Sequence, residues 1–293
     1  MTAETTTAEA PEPTTGRRPP EWRRFLASGQ VRWGAGLLLF ITAFAALGGI
    51  LAPFDPAEPV GLPYEDPGGA HPLGTDKLGR DVLSRVLAGG VHLAWMAPVS
   101  TVIAVLLGAF VGMLAAYYGG VVDALLSRTL DVLLAFPGIL LTLLCVAMFG
   151  PQTWLLVALV ALALFPGVAR VMRGTTSAVI GREYISWAKA VGTPGIVIIA
   201  REILPNITSP LLVELGIRLM WSVGILASMS FLGYGIQPPA ADWGLMVSEN
   251  RDGLANQPFA VVAPMLMIVL YTVAGNLIAE GSARVLGRTE GRK

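Results

Sequence analysis

Long stretches of this chain carry no charge. Trp33 to Phe54, Leu93 to Val122, Val132 to Ala169, Leu219 to Ala241 and Gly253 to Ala279 each lack Asp, Glu, Lys and Arg. A helix needs about 20 apolar residues to cross a bilayer, and every block is at least that long. The block Val132–Ala169 is too long for one helix and is cut by the turn signal Gly150-Pro151-Gln152-Thr153, so it reads as two short spans. Six spans are expected, near 33–52, 93–117, 129–149, 153–171, 209–235 and 259–280. Runs such as Val102-Ile103-Ala104-Val105-Leu106-Leu107 do not alternate in polarity, which favours helices over barrel strands. The expectation is an all-α membrane protein.

Composition agrees. The chain is 54% hydrophobic and 14% charged with a formal net charge of zero, against about 25% charged in an ordinary soluble domain. This argues against a disordered chain, a basic nucleic-acid-binding domain and, with Cys145 alone, a disulfide scaffold. The 34 Gly and 21 Pro suit a bundle in which small residues let helices approach, and Gly108 and Gly112 form such a small-xxx-small pair. His71 and His92 do not sit among other ligand types, so no metal site is expected; His71 reads as structural and Cys145 as packing. No G-x-x-x-x-G-K-[ST] sequence is present, so no phosphate-cradling loop and no ATP site is expected in this chain.

Charge distribution sets the expected orientation. Lys and Arg near spans stay on the cytoplasmic side. Arg17, Arg18, Arg23, Arg24 and Arg32 precede the first span; Arg128 lies between spans two and three. Arg170, Arg173, Arg182, Lys189 and Arg201 lie between spans four and five, and Arg284, Arg288, Arg292 and Lys293 follow the last. Only Lys77, Arg80, Arg85 and Arg251 fall on the other side, so both termini are expected inside. The first span is not expected to be a cleaved signal, because a polar stretch precedes it and no small-residue cleavage pattern follows. The expected division is a disordered tail over 1–30, a first span and outer segment over 31–92, a five-helix core over 93–281 and a C-terminal tail over 282–293.

The cytoplasmic segment 174–207 is not loop-like. From Ser177 to Val191, apolar residues Ile180, Tyr184, Trp187, Ala188 and Val191 fall on one helical face. Gly192 suits the C′ position that ends the helix. Thr193 and Pro194 suit the N-cap and N1 of a second helix with Ile196, Ile199, Ala200 and Ile203 on one face, and Pro205 is expected to end it. Such amphipathic helices lie on lipid, pack beneath their own bundle or enter a partner's groove.

Three ordered motifs in this chain resemble a known family. Glu183-Tyr184-Ile185-Ser186-Trp187-Ala188-Lys189-Ala190-Val191-Gly192, followed by Ile203-Leu204-Pro205-Asn206, resembles the EAA loop of ABC-importer permeases, in the form found in peptide and nickel permeases. His71-Pro72-Leu73-Gly74-Thr75-Asp76 with Leu78-Gly79-Arg80-Asp81-Val82-Leu83-Ser84-Arg85 is similar to the segment after the first span in the C permeases of dipeptide and oligopeptide systems. Ser230-Phe231-Leu232-Gly233-Tyr234-Gly235 with Pro238-Pro239, Asp242-Trp243-Gly244 and Asn250 is similar to the end of span five and the last outer loop. The resemblance covers roughly residues 30–285. Trp187 stands where the family usually has a small Ala, and Glu202 where peptide permeases often have His.

The resemblance implies a type I ABC-importer permease fold in a bacterial inner membrane, half of a pore completed by a homologous second permease. It implies one or two cytoplasmic ABC ATPase subunits holding the ATP and Mg, an external binding protein supplying di- or oligopeptides, and no nucleic-acid partner. Nickel chelates, glutathione or another small solute are alternative cargo. Docking on the ATPase would fall to Glu183, Tyr184, Trp187, Ala188, Gly192, Pro194, Leu204 and Pro205, and a bulky residue at Gly192 is expected to abolish it.

Charges in spans are candidates for function, because each costs about 2.5–3.5 kcal/mol at the bilayer centre. Glu214 and Arg218, spaced i,i+4 with the acid first, read either as a self-neutralising pair or as part of the translocation path. Asp123, Arg128 and Asp131 read as a solvated edge at the inner mouth. Two rival classes fit less well. An ion-gradient-driven transporter would carry coupling acids in several spans, and an intramembrane enzyme would need a nucleophile and base within one.

Overall fold

The computed structural model describes residues 28–290, with side chains to residue 284. Most of the expected N-terminal tail lies outside the described residues, as do Arg17, Arg18, Arg23, Arg24, Arg292, Lys293 and the side chain of Arg288. The helices are α1 (Gly29–Leu51), α2 (Val82–Ala88), α3 (Val91–Tyr118), α4 (Gly120–Ala135), α5 (Gly138–Phe149), α6 (Thr153–Ile180) and α7 (Glu183–Ala190). A short helix α8 begins at Gly195–Ile198, widens into a π turn at Ile199–Ile203 and closes with Leu204–Asn206. Then follow α9 (Thr208–Phe231), α10 (Trp243–Asn250) and α11 (Phe259–Glu290). α11 runs on past residue 281, where the core was expected to end.

Five of these helical stretches are long and apolar enough to cross a membrane, and the pair α4–α5 supplies a sixth crossing only if both halves are taken together. The span expected over 129–149 thus falls on a bent helix pair rather than on one straight helix. The two halves meet at 77°. Pro137 disfavours helical backbone at the residue before it, and Phe136 is accordingly extended (φ −89°, ψ 129°). With 12 residues, α5 is about 18 Å long, short of a hydrocarbon core of about 30 Å.

The centre of the bundle is the α3–α6 pair. Trp95 meets Trp154 with ring centroids 5.2 Å apart. Further along, a Cβ on Gly108 would lie 2.5 Å from Val168 Cβ, and one on Gly112 2.5 Å from the Ala169 carbonyl oxygen. Contacts that advance together mean that the helices run parallel, so α4–α5 must carry the chain back between them. Close backbone approach at small residues substitutes here for the hydrophobic drive that lipid cannot supply. α9 and α11 pack on this pair: Thr101 Oγ1 and Ser222 Oγ are 2.9 Å apart, and the Tyr271 hydroxyl donates to the Ala94 carbonyl at 3.2 Å. α1 lies along α11, with Gly34 against Ala274 and Ile278. Outward-facing Trp33, Phe40, Ile50, Leu106, Phe110 and Leu144 leave the bundle an apolar coat, as lipid solvation requires.

The two ends differ. One end, called the loop end, holds residues 52–90 and 232–258. The opposite end, called the lever end, holds α7 and α8.

Candidate functional site

At the lever end α6 continues to Ile180, past the span end expected at 171, and a turn at Gly181–Arg182 separates it from α7. The single helix expected over Ser177–Val191 is thus broken. Arg182 is extended (φ −82°, ψ 144°), and its carbonyl accepts from the Ile185 amide at 3.1 Å. Gly181 weakens helix propensity there, and Glu183 in the first turn of α7 is favoured by the positive end of the new helix dipole.

The break resets the helical phase. Ile185 becomes fully buried and Ala188 partly so, while Tyr184, Trp187 (71% exposed) and Val191 (80% exposed) face out. The expected face therefore divides, with Ile180 and Ala188 against the bundle and the aromatic pair on the open side.

Gly192 takes the C′ role, at φ +82°. Its amide donates to the Lys189 carbonyl at 3.0 Å and the Thr193 amide to the Ala188 carbonyl at 3.1 Å, the two bonds of a Schellman motif. Pro194 is the N-cap of α8 rather than its N1 residue, and its carbonyl accepts from Val197 and Ile198. Pro205 does not stop the chain. The Leu204 amide reaches back to the Ile199 carbonyl, a wide turn that accommodates the ring of a residue with no N–H to give. The Ile207 amide then bonds the Ile203 carbonyl, and α9 follows at Thr208.

Ile185, Ile198, Ile199, Ile203 and Ile207 are buried with Val105, Ala109 and Met113 of α3 and Val168, Met172 and Val179 of α6. Each such isoleucine contributes about 2 kcal/mol of burial. The pair α7–α8, the lever, is therefore fastened to the bundle. Its free side presents Tyr184, Trp187, Val191 and Ile196, with Leu204 and Pro205 exposed at its far end and Arg182 and Glu183 at its start.

Glu214 and Arg218 pair as their spacing suggested. Glu214 is 6% exposed, and Arg218 donates to its Oε2 from Nε at 2.9 Å and from Nη2 at 2.8 Å. The guanidinium lies across α6, where a Cβ on Gly167 would be 3.1 Å from Nη2. Asp131 stays on an exposed edge, whereas Asp123 is partly buried, and each has an arginine partner. Arg173 binds Asp123 (Nη2 to Oδ2, 2.6 Å) and Arg170 binds Asp131 at 2.7 Å, tying α4 to α6. Arg128 has no part in these pairs.

The loop end holds residues whose roles the sequence did not disclose. Asp76, Arg80, Arg85 and Glu249 form a closed square of charges. Arg80 donates to Asp76 at 2.7 Å and to Glu249 at 2.8 Å, and Arg85 donates to the same two acids at 2.8 and 3.0 Å. All four are buried or nearly so. Asp81 caps α2 through the Ser84 amide and also binds the Ser84 hydroxyl and His71 Nδ1. Asn250 accepts from the Lys77 amide, Gln257 donates to the Glu65 and Leu73 carbonyls, and Trp243 Nε1 donates to the Val86 carbonyl. The second and third sequence motifs are thus two halves of one packed cap. Asp242 caps α10 through the Leu245 amide, and burial pushes its carboxyl above the ordinary range although Ser230, Gly244 and His92 oppose the shift. Only the chemistry of buried charge, which demands partners, hinted that these acids and bases would meet.

Comparison with known proteins agrees with this architecture. Residues 83–290 match the family described as binding-protein-dependent transport system inner membrane component. The chain is 38% identical over 264 residues to the glutathione transport system permease protein GsiD of Pectobacterium atrosepticum, covering 89% of this chain and 87% of that one. It is 35% identical over 265 residues to a putative peptide transport system permease of Brucella suis, covering 90% and 89%. Among solved structures, the MetNI methionine ABC transporter in inward-facing conformations matches with a TM-score of 0.54 at 17% identity, over 68% of this chain and 96% of that chain. That likeness gives the type I importer fold. Motifs, bundle and relatives converge: the chain belongs to the family of binding-protein-dependent inner-membrane transport components and is a multi-pass permease subunit of an ABC importer.

Proposed function

We propose that the free side of the lever docks in a groove of a cytoplasmic ATPase subunit and that the chain imports peptides, with glutathione, itself a short peptide, as the alternative cargo. The observation that carries this is the division of α7–α8 into two faces. Ile185 and the isoleucines of α8 fasten it to the bundle, while Tyr184, Trp187, Val191 and Ile196 stand uncovered. A bundle that needed only an internal brace would not leave a tryptophan and a tyrosine open beside its anchor, and exposed aromatics of this kind are what interfaces bury. Tyr184, Trp187 and Val191 fill the groove, Glu183 meets its rim, and Leu204 and Pro205 touch its edge. Ala188, Gly192 and Pro194 set the shape of the lever beneath.

The lever end is then cytoplasmic, as the basic residues Arg170, Arg173, Arg182, Lys189 and Arg201 favour. The loop end faces the binding protein, and both termini are inside. A homologous permease completes the pore, and ATP and Mg are held by the ATPase pair. Cargo follows the relatives, which are named for glutathione and for peptides. In the present conformation the burial of Glu214 and the seat of Arg218 on Gly167 favour a neutral packing pair over a cargo contact.

Purifying the chain with its neighbouring subunits tests the docking. The wild-type permease should carry ATPase subunits through purification, and Trp187→Ser should lose most of them while keeping the thermal stability of the bundle. Equal retention of the ATPase by the variant would overturn the assignment of this face. Uptake of labelled di- and oligopeptides and of glutathione then decides the cargo.

A further inference from the structure

Resting on that docking, we infer that Tyr117, in the last turn of α3, is the positioning residue through which movement of the lever is passed into the membrane bundle. Its ring is wedged into the bend of the lever. On one side of Gly192, Lys189 Nζ of α7 lies 4.7 Å from the ring centroid. On the other side, α8 begins against the ring, so that a Cβ on Gly195 would fall 2.7 Å from Tyr117 Cε1 and 3.1 Å from its hydroxyl oxygen. Tyr118 steadies it edge-on, with centroids 5.2 Å apart. One half-buried ring therefore touches both arms of the lever and belongs to neither.

The isoleucine contacts beneath the lever are larger and fasten it, but they are non-directional. A cation over an aromatic face and the ring's hydroxyl edge set against a glycine fix distance and direction. What Tyr117 receives goes into a continuous helix. α3 has 28 residues, about 42 Å, and joins Tyr117 to Leu93 and Ala94 near the loop end. α6 is held to α3 by the Gly108 and Gly112 contacts, and the corner after Tyr117 is held to α6 by Asp123 and Arg173. The lever, α3 and α6 are thus built to move together, with the ring as the stop that prevents the lever from rocking on its apolar seat.

The test is transport per ATP hydrolysed in the reconstituted importer for wild type, Tyr117→Ala, Tyr117→Phe and Lys189→Met, with ATPase retention and thermal stability measured on each. Tyr117→Ala should keep its ATPase subunits and go on hydrolysing ATP, but transport about tenfold less per ATP, the ratio set by about 1.4 kcal/mol of lost coupling. Tyr117→Phe keeps the ring and should be close to wild type. Lys189→Met should lose about threefold, in the range of one exposed cation–π contact. Unchanged coupling in Tyr117→Ala, or equal loss in Tyr117→Phe, overturns the inference. Should Tyr117→Ala fail to assemble, the decision passes to Lys189→Met, where unchanged coupling overturns it. A wild-type permease that binds no ATPase removes the docking proposal and this inference with it.

Discussion

Gly192 lends itself to a sharp test, because its backbone and its surroundings make different demands. Its φ is +82°, and a Cβ added there would have no atom within 4 Å. A Cβ at this position therefore meets no clash within the chain, and its cost is backbone strain. For an L-residue the left-handed region costs about 1–2 kcal/mol, less for asparagine, whose side chain tolerates it, and more for a β-branched residue. Docking on the ATPase needs the lever's two arms at the angle this residue sets. The penalty should appear as weaker docking, about 5- to 30-fold for Gly192→Ala. The order expected is Gly, then Asn, then Ala, then Val. Titration of ATPase subunits onto the purified permease in nanodiscs measures it, with the bundle's thermal unfolding as the control that should not move. The loss of docking expected for a bulky residue at Gly192 would then rest on backbone strain rather than on a clash of its Cβ within the chain. An order that follows side-chain size, with Ala tighter than Asn, or four equal affinities, would refute the reasoning.

The remaining predictions concern buried charge. Glu249→Gln leaves Arg80 and Arg85 facing Asp76 alone, and breaking a buried pair costs about 3–5 kcal/mol; the thermal midpoint should fall by about 10 °C, and adding Arg85→Met should recover part of the loss. Burial raises the pKa of Asp242 above the ordinary carboxylate range, so the folded state holds its proton more tightly than the unfolded chain. Its stabilising effect is present at low pH and is lost as pH rises through the folded value. Asp242→Asn should thus gain stability over wild type progressively as pH rises above the ordinary carboxylate range, and a gain that shrinks as pH rises would contradict the burial argument. Glu214→Gln should lower thermal stability and leave uptake per folded complex unchanged for charged and neutral peptides alike. A loss confined to charged peptides would instead put the pair on the translocation path.

How much of this was legible depends on range. The charge-free blocks marked the spans because the bilayer's demand for apolar length is local and additive. Gly192 was legible because a glycine after an amphipathic run needs only its neighbours to form a Schellman turn. The sequence Phe-Pro-Gly marks the limit of such reading. It occurs at 136–138 and again at 165–167. The first copy breaks the chain by 77°, while the second lies inside the continuous helix α6. The difference is tertiary: α6 is gripped along its length by α3, with Phe165 and Val168 on Gly108, whereas α4 buries Leu130 alone and can bend. The same limit hid the charge square, whose arginines and Glu249 are 164 and 169 residues apart. The face of α7 was legible only in part: the glycine at 181 reset the phase, and periodicity counted across the break grouped Trp187 with Ile180 and Ala188, which lie against the bundle while Trp187 faces out.

The cap at the loop end has a consequence for the order in which the protein is made. Its first half, residues 64–86, is synthesised early and contributes Asp76, Arg80, Arg85 and a set of backbone groups seeking partners. Glu249, Trp243, Asn250 and Gln257, which satisfy them, emerge only after four further membrane helices. Until then Arg80 and Arg85 share Asp76 and lack the second acid that completes the square. The cap therefore cannot close until α10 has been made, and a chain cut short before α10 leaves Arg80 and Arg85 without Glu249.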